Sequence, residues 1–227
     1  QAGPLSNGYL AYVRRLTAVR YMGLIAIGDI HGCAQSLDLL LKRLSPAPDD
    51  HLVFIGDYVD RGPDSKGVID RLIALRETHS CTFLRGNHEA LMLAYLNGGE
   101  ADLWWANGGI ATLRSYQADN AALEIPEAHV DFIRSTQLYY DTPDFFFVHA
   151  GLKPSLTIDE NLRRYGEEVL LWERSHLQAS TTVWEKPVGF GHTPQSIPLN
   201  RDRMIGIDTG CVYFTHPTLG RLTAVRL

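Results

Sequence analysis

An α/β fold is predicted, as one domain with two sheets and a small helical cap. Three observations carry this. Three apolar runs, residues 24–27, 52–55 and 81–84, have the length of buried strands. Each ends in a glycine-flanked polar turn: Gly28-Asp29-Ile30-His31-Gly32, Gly56-Asp57-Tyr58-Val59-Asp60-Arg61-Gly62 and Gly86-Asn87-His88-Glu89. Helical stripes then follow the turns.

In chain order, Leu37, Leu40, Leu41 and Leu44 form a stripe after the first turn. Val68, Ile69, Leu72, Ile73 and Leu75 form another after the second, and residues 90–96 continue as a helix after the third. Strand and helix in alternation specify a parallel sheet with right-handed crossovers. Functional groups in such sheets gather beyond the carboxyl ends of the strands, where these turns lie. Residues 98–142 break the pattern at Asn97-Gly98-Gly99 and Asn107-Gly108-Gly109. Trp104, Trp105, Leu113 and Tyr116 predict short helices there, either a cap beside the active face or a plain packing insertion. Short apolar runs return at residues 145–148, 188–190, 204–207 and 221–227. They read as a second set of strands, mixed or antiparallel.

The 227 residues are 45% hydrophobic, enough for a substantial core. A formal charge of −5 without a basic run argues against a nucleic-acid partner. The three cysteines, Cys33, Cys81 and Cys211, are odd in number and lack C-x-x-C spacing. A disulfide framework is not expected, and a cytoplasmic location is. No apolar stretch is long enough to span a membrane, and no secretion signal is visible. Residues 1–21 read as an extension, vector-derived or able to add a strand to a sheet edge, and residues 22–227 as the domain. Arg-Leu-Thr-Ala-Val-Arg occurs at both 15–20 and 221–226. No function follows from the repeat.

The turns carry the chemistry. Asp29 and His31 alternate, so both can reach one ion, although such a pair alone is more often structural. Asp57 can bridge two ions with its two oxygens, Asn87 offers a carbonyl oxygen, and His149 and His192 offer imidazoles after further apolar runs. Mixed oxygen and nitrogen donors suit manganese, iron or zinc better than a calcium cage.

With Gly28–Gly32, residues 56–62, Arg85-Gly86-Asn87-His88-Glu89, Val148-His149-Ala150-Gly151 and Gly191-His192-Thr193 in this order, the chain resembles the metallophosphoesterases. Specifically, it is similar to the small bacterial and phage branch of the phosphoprotein phosphatase family. Leu170-Leu171-Trp172-Glu173-Arg174 and Ile207-Asp208-Thr209-Gly210 strengthen the likeness, which runs from Met22 to Leu227.

The resemblance implies a central β-sandwich of two mixed sheets flanked by helices. It implies two divalent ions, manganese first, with iron, zinc or magnesium as alternatives. Asp29, His31 and Asp57 would hold one ion; Asp57, Asn87, His149 and His192 would hold the other. A hydroxide shared by the ions would attack phosphorus in line. Arg61 and Arg174, with Asn87, would bind the phosphate, and His88, oriented by Asp60, would protonate the leaving oxygen.

The implied activity is that of a Ser/Thr protein phosphatase, with tyrosine or dual specificity open. Its substrate would be a phosphorylated protein or peptide, or a small phosphorylated metabolite. A symmetrical bis(5'-nucleosyl)-tetraphosphate hydrolase is the runner-up, and an inactive phosphate-binding module is the alternative of another class. Chain length and the element at residues 170–174 favour the protein phosphatase.

Blander roles apply elsewhere. His51, His79, His129 and His176 are expected to be surface or hydrogen-bonded core residues, and His216 to face solvent. Cys33 and Tyr58 are expected to pack, and Glu89 to support its loop. Residues 213–220 form a longer, more aromatic loop than relatives carry, able to reshape the pocket wall.

Overall fold

The computed structural model describes residues 23–117 and 123–227. The extension at 1–21, with the first copy of the repeat, lies outside the described residues. Strands β1 (Leu24–Ile27), β2 (His51–Phe54) and β3 (Ser80–Phe83) alternate with helices α1 (Ala34–Leu44), α2 (Ser65–Arg76) and α3 (Asn87–Leu96). Helices α4 (Asp102–Ala106), α5 (Gly109–Tyr116) and α6 (Glu127–Arg134) follow. Then come β4 (Tyr139–Asp141), β5 (Phe146–Val148), α7 (Ile158–Tyr165), α8 (Glu167–Trp172) and a 3-10 turn at Ser175–Gln178. The chain ends with β6 (Val188–Phe190), β7 (Leu199–Arg201), β8 (Met204–Gly206), β9 (Asp208–Thr209), β10 (Arg221–Leu222) and β11 (Ala224–Arg226).

One sheet has the order β11-β1-β2-β3 and the other β4-β5-β6-β8-β7. Both are mixed. β1, β2 and β3 run parallel, and so do β5, β6 and β8; β11, β4 and β7 are antiparallel edges. The period-two alternation of strands explains the layers. Ile25, Ile27, Leu52 and Phe54 face α1, α2 and α6, together with Leu37, Leu72 and Phe132. Ala26 and Val53 point the other way and meet Phe147 and Ile207 between the sheets. Phe146, Val148, Val188 and Phe190 face Ile158, Leu170 and Trp184 on the second outer side. The result is a sandwich with helices on both outer faces. None of the described helices is long and apolar enough to cross a membrane.

Three expectations change. The last run, 221–227, is two short strands: β10 pairs with β9 and β11 with β1. Thr223 forms the hinge, because its carbonyl accepts Gly28 N–H at 3.0 Å and its hydroxyl meets Thr209 Oγ1 at 2.6 Å. Helix α3 starts at Asn87, earlier than its apolar stripe, since the Glu89 side chain caps Gly86 N–H at 2.8 Å. Strand β4 lies within the segment for which the sequence predicts short helices; as a half-exposed edge it lacks the apolar run that marks a strand.

His51 and His129 are hydrogen-bonded, to Ser80 and Thr82 and to Tyr116 and Asp70. His176 departs from expectation. It is fully buried, its ring meets Phe190 edge-on at 4.4 Å, and neither ring nitrogen has a partner. Burial pulls its pKa from 6.5 to about 4. The unfolded chain takes up this proton near 6.5 and the fold does not, so stability drops as pH falls from 6.5 towards 4, by on the order of 1–3 kcal/mol at the lower end. His176→Leu is therefore expected to narrow the gap between melting temperatures at pH 7 and pH 5. An unchanged gap would assign the acid sensitivity to other groups.

Candidate active site

Six turns meet at one edge of the sandwich. Asp29, Asp57 and Asn87 follow β1, β2 and β3 in the first sheet, and His149, His192 and Asp208 follow β5, β6 and β8 in the second. Each is beyond the carboxyl end of a parallel strand, and all six are buried. A single bond shows how the sheets are joined here: Asp29 Oδ2 accepts His192 N–H at 2.9 Å, across 163 residues of sequence.

Asp57 is central. Its Oδ2 lies 3.5 Å from His31 Nε2, and its Oδ1 lies 3.4 Å from His149 Nε2. His149 Nε2 in turn is 3.0 Å from Asn87 Oδ1 and 3.2 Å from His192 Nδ1, and His192 Nδ1 is 2.9 Å from Asn87 Oδ1. The two carboxylate oxygens thus face two different donor groups. Backbone carbonyls set the imidazole tautomers: Val59 O takes the His31 Nδ1 proton at 2.9 Å, and Ile55 O takes the His149 Nδ1 proton at 3.1 Å. That turns each Nε2 towards the interior, the orientation of metal-binding histidines.

The residues fit a pair of cations. Asp29 Oδ1 and His192 Nε2 are buried without a partner. Burial and then the Asp208 and Asp57 charges push the Asp29 carboxyl well above its ordinary range, and burial raises Asp208 to about 6. Such a set of buried carboxylates is costly unless positive charge offsets it. Burial disfavours the charged Asp57 carboxylate, but the His149 and His88 rings outweigh this and hold its pKa well below the usual value. Burial lowers the pKa values of His31 and His192 to about 3 and about 2, so these rings are neutral, as ligands must be; at His149 the effect of burial is outweighed by Asp57, which raises the pKa, so this ring would release a proton on binding an ion. Glycines clear the space: a Cβ on Gly86 would lie 2.1 Å from Asp57 Oδ1, and one on Gly191 would lie 2.0 Å from Asp29 Oδ1. Grouping of donor atoms unites His31, Asp57 and His88, and Asp57, His149 and His192. Asp29 borders these groups and is not within either.

The backbone is strained at the same place. Among the described residues, His31, Asp57, Asp60, Arg61 and His192 have positive φ, between 48° and 72°. Each costs roughly 1–3 kcal/mol and persists where the surroundings over-determine it. Glu89 is one such surrounding. Its carboxylate accepts N–H groups from Asp57, Tyr58 and Gly86 at 2.8 Å and Val59 at 3.3 Å, the loop-supporting role expected of it. Burial lifts its pKa to about 7.

His88 Nδ1 is 2.7 Å from Asp60 Oδ2, and its buried Nε2 has no partner. That free nitrogen lies 4.0 Å from Asp57 Oδ2, facing into the site. Asp60 is held by residues the sequence did not single out for this. Trp104 Nε1 donates to Oδ1 and Oδ2 at 3.0 and 2.9 Å, and Thr112 Oγ1 donates to Oδ1 at 2.6 Å. Both come from the inserted helices, α4 and α5. Gly108 between them receives Arg61 N–H at 3.3 Å. The insertion is therefore packed against the back of the site, and its buried Trp104 was the visible signal. Trp104→Phe keeps most of the ring volume and removes the donor. It is expected to lower kcat about ten- to a hundredfold with little change in KM, since a hydrogen bond to a charged group contributes roughly 1.5–3 kcal/mol. A larger effect on KM than on kcat would contradict this role.

Arg61 Nη1 lies 2.8 Å from His31 Nε2 and donates to it. That lone pair cannot serve Arg61 and an ion together, so an ion held by His31 would displace the guanidinium. Arg174 is exposed at the rim, and its charge is one of the influences that lower the His192 pKa. Phe214 of loop 213–220 borders a pocket of about 220 Å³ together with Gly32, Cys33 and Ser36, just beyond the turn that carries Asp29 and His31. Cys33, Cys81 and Cys211 are free thiols.

Known proteins are similar to this chain. The calcineurin-like phosphoesterase family matches residues 22–220. The chain belongs to this family. It is 31% identical to a serine/threonine-protein phosphatase 1 of Salmonella typhimurium, over 92% of this chain and 96% of that protein. It is 34% identical to a symmetrical bis(5'-nucleosyl)-tetraphosphatase of Pseudomonas putida, over 64% of this chain and 48% of that protein. Among solved structures, a candidate diadenosine tetraphosphatase superposes with a TM-score of 0.63 at 26% identity, covering 91% of this chain and 95% of that one. This phosphoesterase thus has the expected sandwich and is a hydrolase of phosphate esters.

Proposed function

We propose that the chain is a dinuclear-metal-dependent phosphomonoesterase acting on phosphorylated protein or peptide. The observation that carries this is Asp57, whose two oxygens face separate donor groups 3.4–3.5 Å away. Asp29, His31 and Asp57 would hold one ion, and Asp57, Asn87, His149 and His192 the other. Manganese suits this thiolate-free set best, with iron, zinc and magnesium as alternatives. When bound, the ions supply Lewis-acid charge and acidify the attacking water.

The side chains do the rest. Arg61 and Arg174 take phosphoryl oxygens, where a guanidinium fork gives charge-assisted hydrogen bonds, and Asn87 adds its amide N–H. His88 Nε2 hands its proton to the departing oxygen. Asp60 holds the other ring nitrogen, and Trp104 and Thr112 hold Asp60, so the ring cannot turn away. Burial of the site excludes bulk water and strengthens each of these contacts.

The match to the Salmonella phosphatase along 96% of its length favours protein phosphatase activity. The second reading, dinucleoside tetraphosphate hydrolysis, is favoured by the Pseudomonas relative and by the candidate diadenosine tetraphosphatase. The odd number of free thiols suits a reducing cytoplasm.

Chelation followed by reconstitution with manganese tests the reading, using phosphoserine, phosphothreonine and phosphotyrosine peptides beside diadenosine tetraphosphate. Loss of peptide hydrolysis on chelation and its return with manganese are expected. Turnover confined to the dinucleotide would transfer the assignment to the second reading, and no turnover of any substrate would favour a phosphate-binding module.

A further inference from the structure

Helix α5 meets its neighbours through polar side chains. Thr112, Ser115 and Tyr116 stand at i, i+3 and i+4, so they share one face. Thr112 Oγ1 has one proton, and Asp60 Oδ1 accepts it at 2.6 Å. The same oxygen accepts Asp60 N–H at 2.8 Å and lies 3.0 Å from Ser65 Oγ, so Ser65 is the donor of that pair. Ser65 Oγ in turn accepts Asp60 N–H at 3.1 Å. One turn on, Ser115 Oγ accepts Lys66 N–H at 3.1 Å and donates to Thr112 O at 2.7 Å.

Tyr116 ends the helix and continues the pattern. Its hydroxyl is 2.9 Å from His129 Nδ1, and His129 Nε2 is 3.0 Å from Asp70 Oδ1. Burial lowers the His129 pKa from 6.5, so the ring is neutral at pH 7. A carboxylate only accepts, so Nε2 carries the ring proton, Nδ1 is the acceptor and the Tyr116 hydroxyl donates. Asp70 Oδ2 is held by Lys66 Nζ at 2.8 Å, from the residue whose N–H reaches Ser115. Tyr116 and His129 are 6% and 5% exposed. Helices α2, α5 and α6 are thus joined by bonds in which each of these hydroxyls and ring nitrogens has a partner. A fully satisfied buried network fixes one arrangement of the elements that share it.

We propose that Tyr116, His129 and Asp70 are positioning residues for the acid pair, acting through helix α5 to keep Thr112 on Asp60. The proposal rests on the reading of His88 as the acid and names what sets its geometry. Asp60 needs such support. Its backbone is at φ 72°, and its Oδ2 already holds His88 Nδ1 at 2.7 Å. Thr112 and Trp104 fix the carboxylate plane about that bond. A shift of α5 removes the short Thr112 bond, because that bond leaves from the helix face that Tyr116 anchors. The carboxylate then turns, and His88 Nε2 loses its aim at the leaving oxygen. Asp57 is held separately, by the Glu89 carboxylate at 2.8 Å from its N–H. The effect therefore falls on proton transfer and not on metal binding.

The test uses full-length, manganese-reconstituted protein with a phosphoserine peptide and p-nitrophenyl phosphate, whose leaving group departs with little protonation. The readout is kcat and KM on each, with metal content and melting temperature measured in parallel. Tyr116→Phe keeps the ring and removes the donor. It is expected to lower kcat on phosphoserine about two- to tenfold, the scale of one neutral hydrogen bond, and on the aryl phosphate less than about twofold, with KM unchanged for both. Thr112→Val should show the same selectivity more strongly. In the double variant the loss should equal that of Thr112→Val alone, because both act through one bond. Asp70→Asn retains an oxygen for His129 Nε2–H and should stay within about twofold of the parent, whereas Asp70→Ala should behave as Tyr116→Phe does. Asp70 is half-exposed, so this pair decides the matter if Tyr116→Phe disturbs folding.

Equal losses on the two substrates in Tyr116→Phe and Asp70→Ala overturn the proposal, and so does a lower melting temperature with unchanged kcat, which would make the three residues a packing feature. Losses that multiply in the Tyr116→Phe/Thr112→Val variant also overturn it, since Tyr116 would then act apart from Asp60. His88→Asn separates this proposal from the reading beneath it. If His88→Asn shows the selective loss and Tyr116→Phe does not, the proposal falls and the acid reading stands. If His88→Asn loses equally on both substrates, both fall.

Discussion

Asp57→Asn is expected to bring turnover to background and to deplete both metal positions. Its two oxygens are the groups shared by the His31 side and the His149 side. The amide keeps the shape but removes the negative charge between two divalent cations, whose repulsion is then less compensated. Loss of an outer-shell partner costs roughly 10–100-fold in metal affinity or activity, and loss of a shared ligand should exceed that. Metal analysis beside circular dichroism separates this from unfolding. A folded variant with two ions and near-parent turnover at limiting manganese would remove Asp57 from the bridging role.

His88→Asn should retain the metals and slow the chemical step. General acid catalysis contributes on the order of 10²–10⁴-fold. The loss should be greatest with phosphoserine, whose alkoxide leaves poorly without a proton. It should shrink with an activated aryl phosphate, and a phosphotyrosyl peptide should fall between. Asp60→Asn should follow the same trend more mildly, since it acts by holding His88 Nδ1 at 2.7 Å. An equal loss on all three substrates would mean that His88 positions phosphate or the nucleophile and is not the acid.

The six site-bearing turns differ in how readable they were. Asp29, Asp57 and Asn87 follow strands that show as apolar runs, and glycine marks each turn, so strand ends and donors could be located together. His149 and His192 were equally plain. What the sequence could not show was how the donors face one another, because Asp57 meets His149 only after β2 and β5 are stacked across the sandwich. Asp208 was visible as part of a motif, but its closeness to Asp29 depends on β8 following β6 in the second sheet. Thr112 carried no signal, since one threonine on a short helix is ordinary. Its bond to Asp60 spans 52 residues. Trp104 stood out as an aromatic in a glycine-broken segment, yet only its position beneath Asp60 turns it from packing into support. The buried, unpartnered His176 was also beyond reach, because period and composition do not distinguish it from a hydrogen-bonded core histidine.

The central claim is that two cations at the Asp57 cluster enable hydrolysis, and a stepwise titration tests it most directly. Fully chelated protein is given manganese in increments, with bound metal per chain and phosphopeptide turnover measured on the same samples. The account predicts no turnover at zero metal and full turnover only as two ions are bound per chain, with Asp57→Asn failing to reach that occupancy. Full turnover by metal-free protein, or maximal turnover in Asp57→Asn without the second ion, would contradict it.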